Sequence, residues 1–134
     1  MARRLIIDTG VLVASERART GLASVISEDD DVVVAAVTVA ELRTGIELAS
    51  ERRRASRSEF LVKVLEILPV EPYGLAAAES HGRLLAHVHR SGTRPGAHDL
   101  IVAATAVATN RTVVTTDRRA RFDDLPGVDC IVVG

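Results

Sequence analysis

Apolar residues in this chain follow two patterns that alternate from end to end. Leu5-Ile6-Ile7, Val32-Val33-Val34-Ala35-Ala36 and Val113-Val114 are short, β-branched and continuous, which suits strands buried on both faces of a parallel sheet. Residues 4–8, 32–36, 112–117 and 129–133 are therefore predicted strands, with a shorter one over residues 68–71. Between them the apolar positions fall at helical spacing. A helical turn is predicted over residues 11–17, and Leu22, Val25 and Ile26 share one face of a short helix that acidic residues 28–31 end. Thr38 followed by Glu41 is a capping-box pair, so a helix is predicted to begin there and carry Leu42, Ile46 and Leu48. The arginine-dense residues 51–59 precede a further helix with Phe60, Val64, Leu65 and Leu68, stopped by Pro69. Residues 75–90 form an alanine-rich helix ended by Ser91-Gly92. Residues 100–109 are apolar nearly all round, which predicts a central, buried helix.

Strands alternating with helices, without repeat, linker or low-complexity segment, predict one α/β domain over residues 1–134. Its sheet should be mostly parallel, with helices on both faces. In such sheets the functional site lies beyond the carboxyl ends of the strands. Asp8 and Asp117 each end a predicted strand, while Glu41 and Asp99 each open a helix at that same edge. Three of these acids have simple structural readings when taken singly. Glu41 closes the capping box, Asp99 favours a helix macrodipole, and Asp117 suits an Asx-turn. Asp8 has no such reading, because a strand end has no special need for a carboxylate. Carboxylates about 4 Å apart repel by roughly 4 kcal/mol per pair at an effective dielectric near 20. Four of them gathered at one edge call for a cation, and an oxygen-only donor set suits Mg²⁺ or Mn²⁺.

Composition narrows the picture. The net charge is −1, so nucleic acid would have to meet a local basic patch and not a global positive field. Of the 17 basic residues only Lys63 is a lysine. Arginine suits phosphate contacts, although the run at Arg52, Arg53, Arg54 and Arg57 reads first as a solvated helix face. Three aromatics, Phe60, Tyr73 and Phe122, are too few for a base-stacking platform. His81, His87 and His89 lack the i, i+4 spacing of a zinc pair, whereas His98 adjoins Asp99 and faces the proposed cleft. The lone Cys130 fits a reducing cytoplasm, and no apolar run reaches the roughly 20 residues of a membrane span. The two N-terminal arginines precede too short an apolar run for a signal peptide.

Asp8-Thr9-Gly10 also matches the tripeptide of aspartic proteases, but that fold is all-β and the helical segments here contradict it. A receiver domain needs a lysine at a late strand end, and Lys63 lies on a predicted helix. A phosphatase of the Asp-x-Asp type fails because position 10 is Gly.

Leu5-Ile6-Ile7-Asp8-Thr9, the segment Val37-Thr38-Val39-Ala40-Glu41-Leu42, His98-Asp99-Leu100-Ile101, and Thr115-Thr116-Asp117 followed by Phe122, taken in order, resemble a PIN domain. The similarity is to VapC-type toxins of bacterial toxin–antitoxin pairs. That resemblance implies a PIN-like three-layer sandwich and a Mg²⁺- or Mn²⁺-dependent endoribonuclease acting on tRNA or rRNA. It further implies a homodimer, silenced by a small cognate antitoxin. By the resemblance Asp8, Glu41, Asp99 and Asp117 are both catalytic and metal-holding. Read from their chemistry, Thr9, Thr115 and Thr116 are placed to hydrogen-bond these carboxylates or a water on the metal, and His98 is either a further supporting residue or, more simply, a solvent-exposed histidine. Two departures stand out: Gly10 replaces a common Ser, and His98 stands where Asn or another polar residue is frequent. The alternative is a PIN-fold module that binds RNA or protein with little turnover.

Overall fold

The computed structural model describes residues 2–18, 26–93, 95–120 and 122–134. The predicted helix face of Leu22 and Val25 lies outside these residues. Strand β1 (Arg4–Ile7) leads into α1 (Thr9–Ala18), β2 (Asp31–Ala35), α2 (Ala36–Glu47) and α3 (Glu51–Ile67). Then come β3 (Val70–Glu71), α4 (Leu75–Ser91), α5 (Ala97–Thr109), β4 (Thr112–Thr115) and β5 (Cys130–Val132). The sheet order is β3-β2-β1-β4-β5, and every neighbouring pair is parallel. The sheet is thus parallel throughout among the described residues, where the sequence predicts a mostly parallel one.

Period-two alternation divides each central strand between two cores. Ile6, Val33 and Val113 point into one, shared with Leu84 of α4 and with Leu100, Val102 and Ala103 of α5. Leu5, Ile7, Val32, Val34 and Val114 point into the other, with Val11 and Leu12 of α1 and Val64 of α3. This makes three layers. Each isoleucine or leucine of β1 is essentially inaccessible to solvent, and burial of one such side chain stabilises the fold by about 1.5–3 kcal/mol. The alanines of α5 explain its central position, since small side chains let a helix lie close to the sheet and to α4.

Helix α2 starts at Ala36, two residues before the predicted capping box, and no side chain caps it. Thr38 is buried inside the helix, and Glu41 is its sixth residue instead of its third. The capping explanation of Glu41 therefore fails. Helix α3 likewise absorbs the whole arginine-rich stretch, and β3 is confined to two residues.

At the amino-terminal edge of the sheet Arg111 is buried beside β4. One of its terminal nitrogens donates to the carbonyl of Asp31 at 2.9 Å, to the Asp31 carboxylate at 3.0 Å and to the carbonyl of Leu5 at 3.3 Å. Arg4 pairs with the same Asp31 at 3.1 Å. Charges at that edge are matched.

Candidate functional site

Strand order reverses direction about β1, with β2 on one side and β4 on the other, so a crevice opens beyond their carboxyl ends. Asp8 follows β1 directly, and its own N–H still joins the sheet by donating to the carbonyl of Val114 at 2.9 Å. Its side chain is 6% exposed. Two donors hold it: the Thr9 N–H reaches one carboxylate oxygen at 2.8 Å, and the Thr115 hydroxyl reaches the other at 2.9 Å. Burial raises the Asp8 carboxyl above its ordinary value, and Glu41 and Asp117 raise it further, against the lowering by Thr115 and Thr9.

Glu41 comes from the middle of α2 and accepts a 2.7 Å hydrogen bond from the Thr9 hydroxyl. Its other oxygen lies 3.4 Å from Nδ1 of His98. Asp99 is the third residue of α5, behind Gly96, where a Cβ would stand 2.9 Å from Oδ2 of Asp99. Gly96 therefore leaves room for the carboxylate. Burial pushes the Asp99 carboxyl up to about 6, assisted by the charges of Asp8, Asp117 and Glu41, while His98 pulls it down. Asp117 ends the turn after β4. Its N–H donates to the Thr115 hydroxyl at 3.0 Å, and its carboxylate accepts the Arg119 N–H at 2.8 Å.

All four acids line one cleft of about 480 Å³, together with Thr9, Gly10 and Thr116. Thr9 and Thr115 each anchor a carboxylate, and His98 touches Glu41. Thr116 bonds to no described residue; its hydroxyl lies where a side chain at position 10 would go, 2.9 Å from an added Cβ. Among the described residues no three acids, histidines or cysteines are already clustered tightly enough to hold one ion. The donor set nonetheless fits a hard divalent cation: it is all oxygen, two of its members are electrostatically strained, and Asp8, Asp99 and Asp117 have no ion-pair partner among the described residues. Closing a coordination shell needs side-chain rotation, for which exposed Asp117 has freedom.

One charged residue of the cleft escaped the sequence reading. Arg17 lines the acidic cleft from α1. Thr9, Val13 and Arg17 recur every four residues, a helical face that a prediction starting α1 at Thr9 would have exposed.

Residues 5–128 match the PIN domain family. Ribonuclease VapC5 of Mycobacterium tuberculosis is 35% identical over 127 residues, covering 92% of this chain and 87% of the relative. Ribonuclease VapC of Rickettsia bellii is 25% identical over 96% of both chains. Among solved structures, a chain of VapBC-5, a toxin–antitoxin system member from M. tuberculosis, superposes with a TM-score of 0.80 at 32% identity over 97% of this chain and 98% of that one. A chain of the Rickettsia felis VapBC2 structure, at 18% identity, shares the fold with a TM-score of 0.88 over 98% and 99% of the two chains. With four carboxylates at the switch point of a parallel three-layer fold, and with these matches along its length, the chain belongs to the PIN-domain family.

Proposed function

We propose that this protein is a divalent-metal-dependent endoribonuclease, the toxin of a toxin–antitoxin pair, which cuts tRNA or rRNA in the cytoplasm and so inhibits translation. The observation that carries the reading is Asp99. A carboxyl pushed up to about 6 by burial and by three other acids in the same cleft marks a concentration of negative charge that folding alone does not need. The names of the relatives supply the substrate class, and the toxin–antitoxin structures support an antitoxin partner; the homodimer belongs to the same reading and rests on the family resemblance alone.

Asp8, Glu41, Asp99 and Asp117 would hold Mg²⁺ or Mn²⁺. When bound, the ion supplies Lewis-acid polarisation of the phosphoryl group and lowers the pKa of the attacking water. The remaining work falls to the protein's own groups. Thr115 and the Thr9 N–H fix both oxygens of Asp8, so this carboxylate meets the cleft in one orientation. The Thr9 hydroxyl fixes one oxygen of Glu41 and leaves the other toward His98. Asp99 carries a proton at low pH and must lose it before it can ligate, so the affinity for the ion should fall as pH drops through about 6.

The test is RNA cleavage by purified protein with Mg²⁺ or Mn²⁺, beside Asp8→Asn. Loss of cleavage with the fold retained supports the assignment. Cleavage by Asp8→Asn at the wild-type rate, with contaminating nuclease excluded, refutes it. RNA binding by wild type without divalent-dependent cleavage would point instead to a PIN-fold binding module.

A further inference from the structure

A second concavity, a groove of about 950 Å³, opens off the acidic cleft and shares Thr9, Val13, Arg17 and Glu41 with it. The two form one continuous surface. Its wall is α3, where Arg53, Arg57, Phe60, Val64 and Ile67 recur at i, i+4, i+7, i+11 and i+14, a single helix face, with Lys63 beside it. Phe60 and Val64 make an apolar floor together with Leu42 of α2. The cations stand above that floor.

Arg17, Arg53 and Lys63 form no ion pair with a described residue. Arg57 donates to the carbonyl of Gly45 at 2.9 Å, a bond that fixes its position over the groove and leaves its charge unneutralised. Arg54, by contrast, turns away to the carbonyl of Ala49 at 3.3 Å, and neither it nor Arg52 lines the groove. The arginine run thus divides into a groove-facing pair and a solvent-facing pair. Glu16 and Glu59 stand on the same rim and temper the positive field.

Resting on the ribonuclease reading, we infer that Arg17, Arg53, Arg57 and Lys63 form a phosphate track for a single-stranded RNA segment, leading it from α3 to the four carboxylates. Charge complementarity selects RNA: unneutralised cations beside a catalytic acid cluster can hold the phosphates that flank the bond to be cut. Arg53 and Arg57 on one helix face, with Lys63 on its flank, border one groove and serve one strand, whereas a duplex presents two rows of phosphates. Arg53 and Lys63 are ten residues apart on α3, about 15 Å, over which one stacked strand carries about four phosphates. The apolar floor faces the unpaired bases. Arg17 stands at the junction and receives the phosphate nearest the quartet.

The test measures binding of a short, unstructured, fluorescent oligoribonucleotide in EDTA across a range of KCl concentrations. Four phosphate contacts to a single strand predict a slope of log K against log salt of about −3. The triple variant Arg53→Gln, Arg57→Gln, Lys63→Gln should bind at least about tenfold more weakly, with the slope falling to about −1. Glu59→Gln should bind as tightly as wild type or more tightly, an outcome that general damage to α3 would not give. A wild-type slope in the correctly folded triple variant overturns the track and leaves the groove to a protein partner. An RNA duplex that binds as tightly as the single strand at the same salt overturns the single-strand assignment. Wild type that binds with the predicted slope yet never cleaves with Mg²⁺ or Mn²⁺ refutes the nuclease reading and upholds the track. Cleavage with an unchanged slope in the triple variant does the reverse.

Discussion

Replacing Asp99 with Asn should make the metal-free protein more stable while destroying its function. In the folded protein the Asp99 carboxyl is raised to about 6, from 3.8, by burial and by Asp8, Asp117 and Glu41. The folded state therefore holds this proton more tightly than the unfolded chain does. The stability that protonation confers is full below about pH 3.8 and is lost as pH rises through about 6. A displacement of roughly two units corresponds to about 3 kcal/mol. Asp99 is only half buried, so solvent screening reduces this to about 1–2 kcal/mol. Asn has the shape of the protonated acid without its charge, so at pH 7.5 in EDTA its melting temperature should exceed wild type by about 3–8 °C for a domain of this size. At pH 5 the difference should shrink by about half, because wild type is then largely protonated. A competing effect has the opposite sign. Asp99 lies in the first turn of α5, where a negative charge stabilises a helix by about 0.3–1 kcal/mol. Thermal melts of both proteins at the two pH values decide between them. If Asp99→Asn melts at or below wild type at pH 7.5, Asp99 is a helix-start acid and the argument from electrostatic strain collapses.

Three further outcomes follow from the same geometry. Millimolar Mg²⁺ or Mn²⁺ should raise the wild-type melting temperature, by about 2.7 kcal/mol of linkage at a hundredfold excess over Kd, and Asp8→Asn should show little of that shift; an unresponsive wild type argues against a cation site. Gly10→Ser should leave stability within about 0.5 kcal/mol of wild type in denaturant titration, because the Thr116 hydroxyl that its Cβ would meet at 2.9 Å belongs to an exposed side chain free to rotate. A larger loss that vanishes in a Thr116→Ala background would show that the hydroxyl is held in place. Arg111→Met should lower stability by about 2–4 kcal/mol, since it removes three hydrogen bonds from a buried guanidinium and unpairs Asp31 from its inner partner; a denaturant midpoint within 0.5 kcal/mol of wild type, about the scatter of ordinary surface changes, would show that Arg4 alone suffices for that edge.

The sheet was legible in the sequence because its central strands are short apolar runs with no helical alternative, and the two strand-end acids were legible with it. Glu41 was harder. In Val32–Thr38 the apolar residues run on without a break, so nothing in the local pattern marks where β2 gives way to α2. The capping-box spelling then suggested a start two residues late, and with it a structural excuse for Glu41 that the fold does not support. Thr38 is instead buried, with its hydroxyl 3.4 Å from that of Thr9. The groove along α3 was illegible for another reason. Arg53 and Arg57 read as a solvated face until α1 and α2 are packed opposite them, and only tertiary contact distinguishes them from Arg52 and Arg54. The Gly10 departure also changes meaning in three dimensions, since the Thr116 hydroxyl fills the space left by the missing side chain.

Acid count alone does not locate the site, because acidic residues stand at both ends of the sheet. What separates them is whether a cation answers each one. At the amino-terminal edge Asp31 is bound by Arg111 and Arg4, and Asp30 is bound by Arg3 at 2.7 Å, which holds its carboxyl down at about 2. At the carboxyl edge Asp8, Asp99 and Asp117 have no ion-pair partner among the described residues, and the two more buried of them are pushed up instead of down. Both edges draw on one arginine-rich chain, so the difference is not a shortage of cations. Arg17 stands at the cleft without pairing to an acid there. A fold selected only for stability would let such an arginine close on the quartet, as Arg111 closes on Asp31. Leaving Asp8, Asp99 and Asp117 without a cation destabilises the metal-free protein, and that standing electrostatic strain is the driving force with which a bound cation, and through it a phosphodiester, would be held.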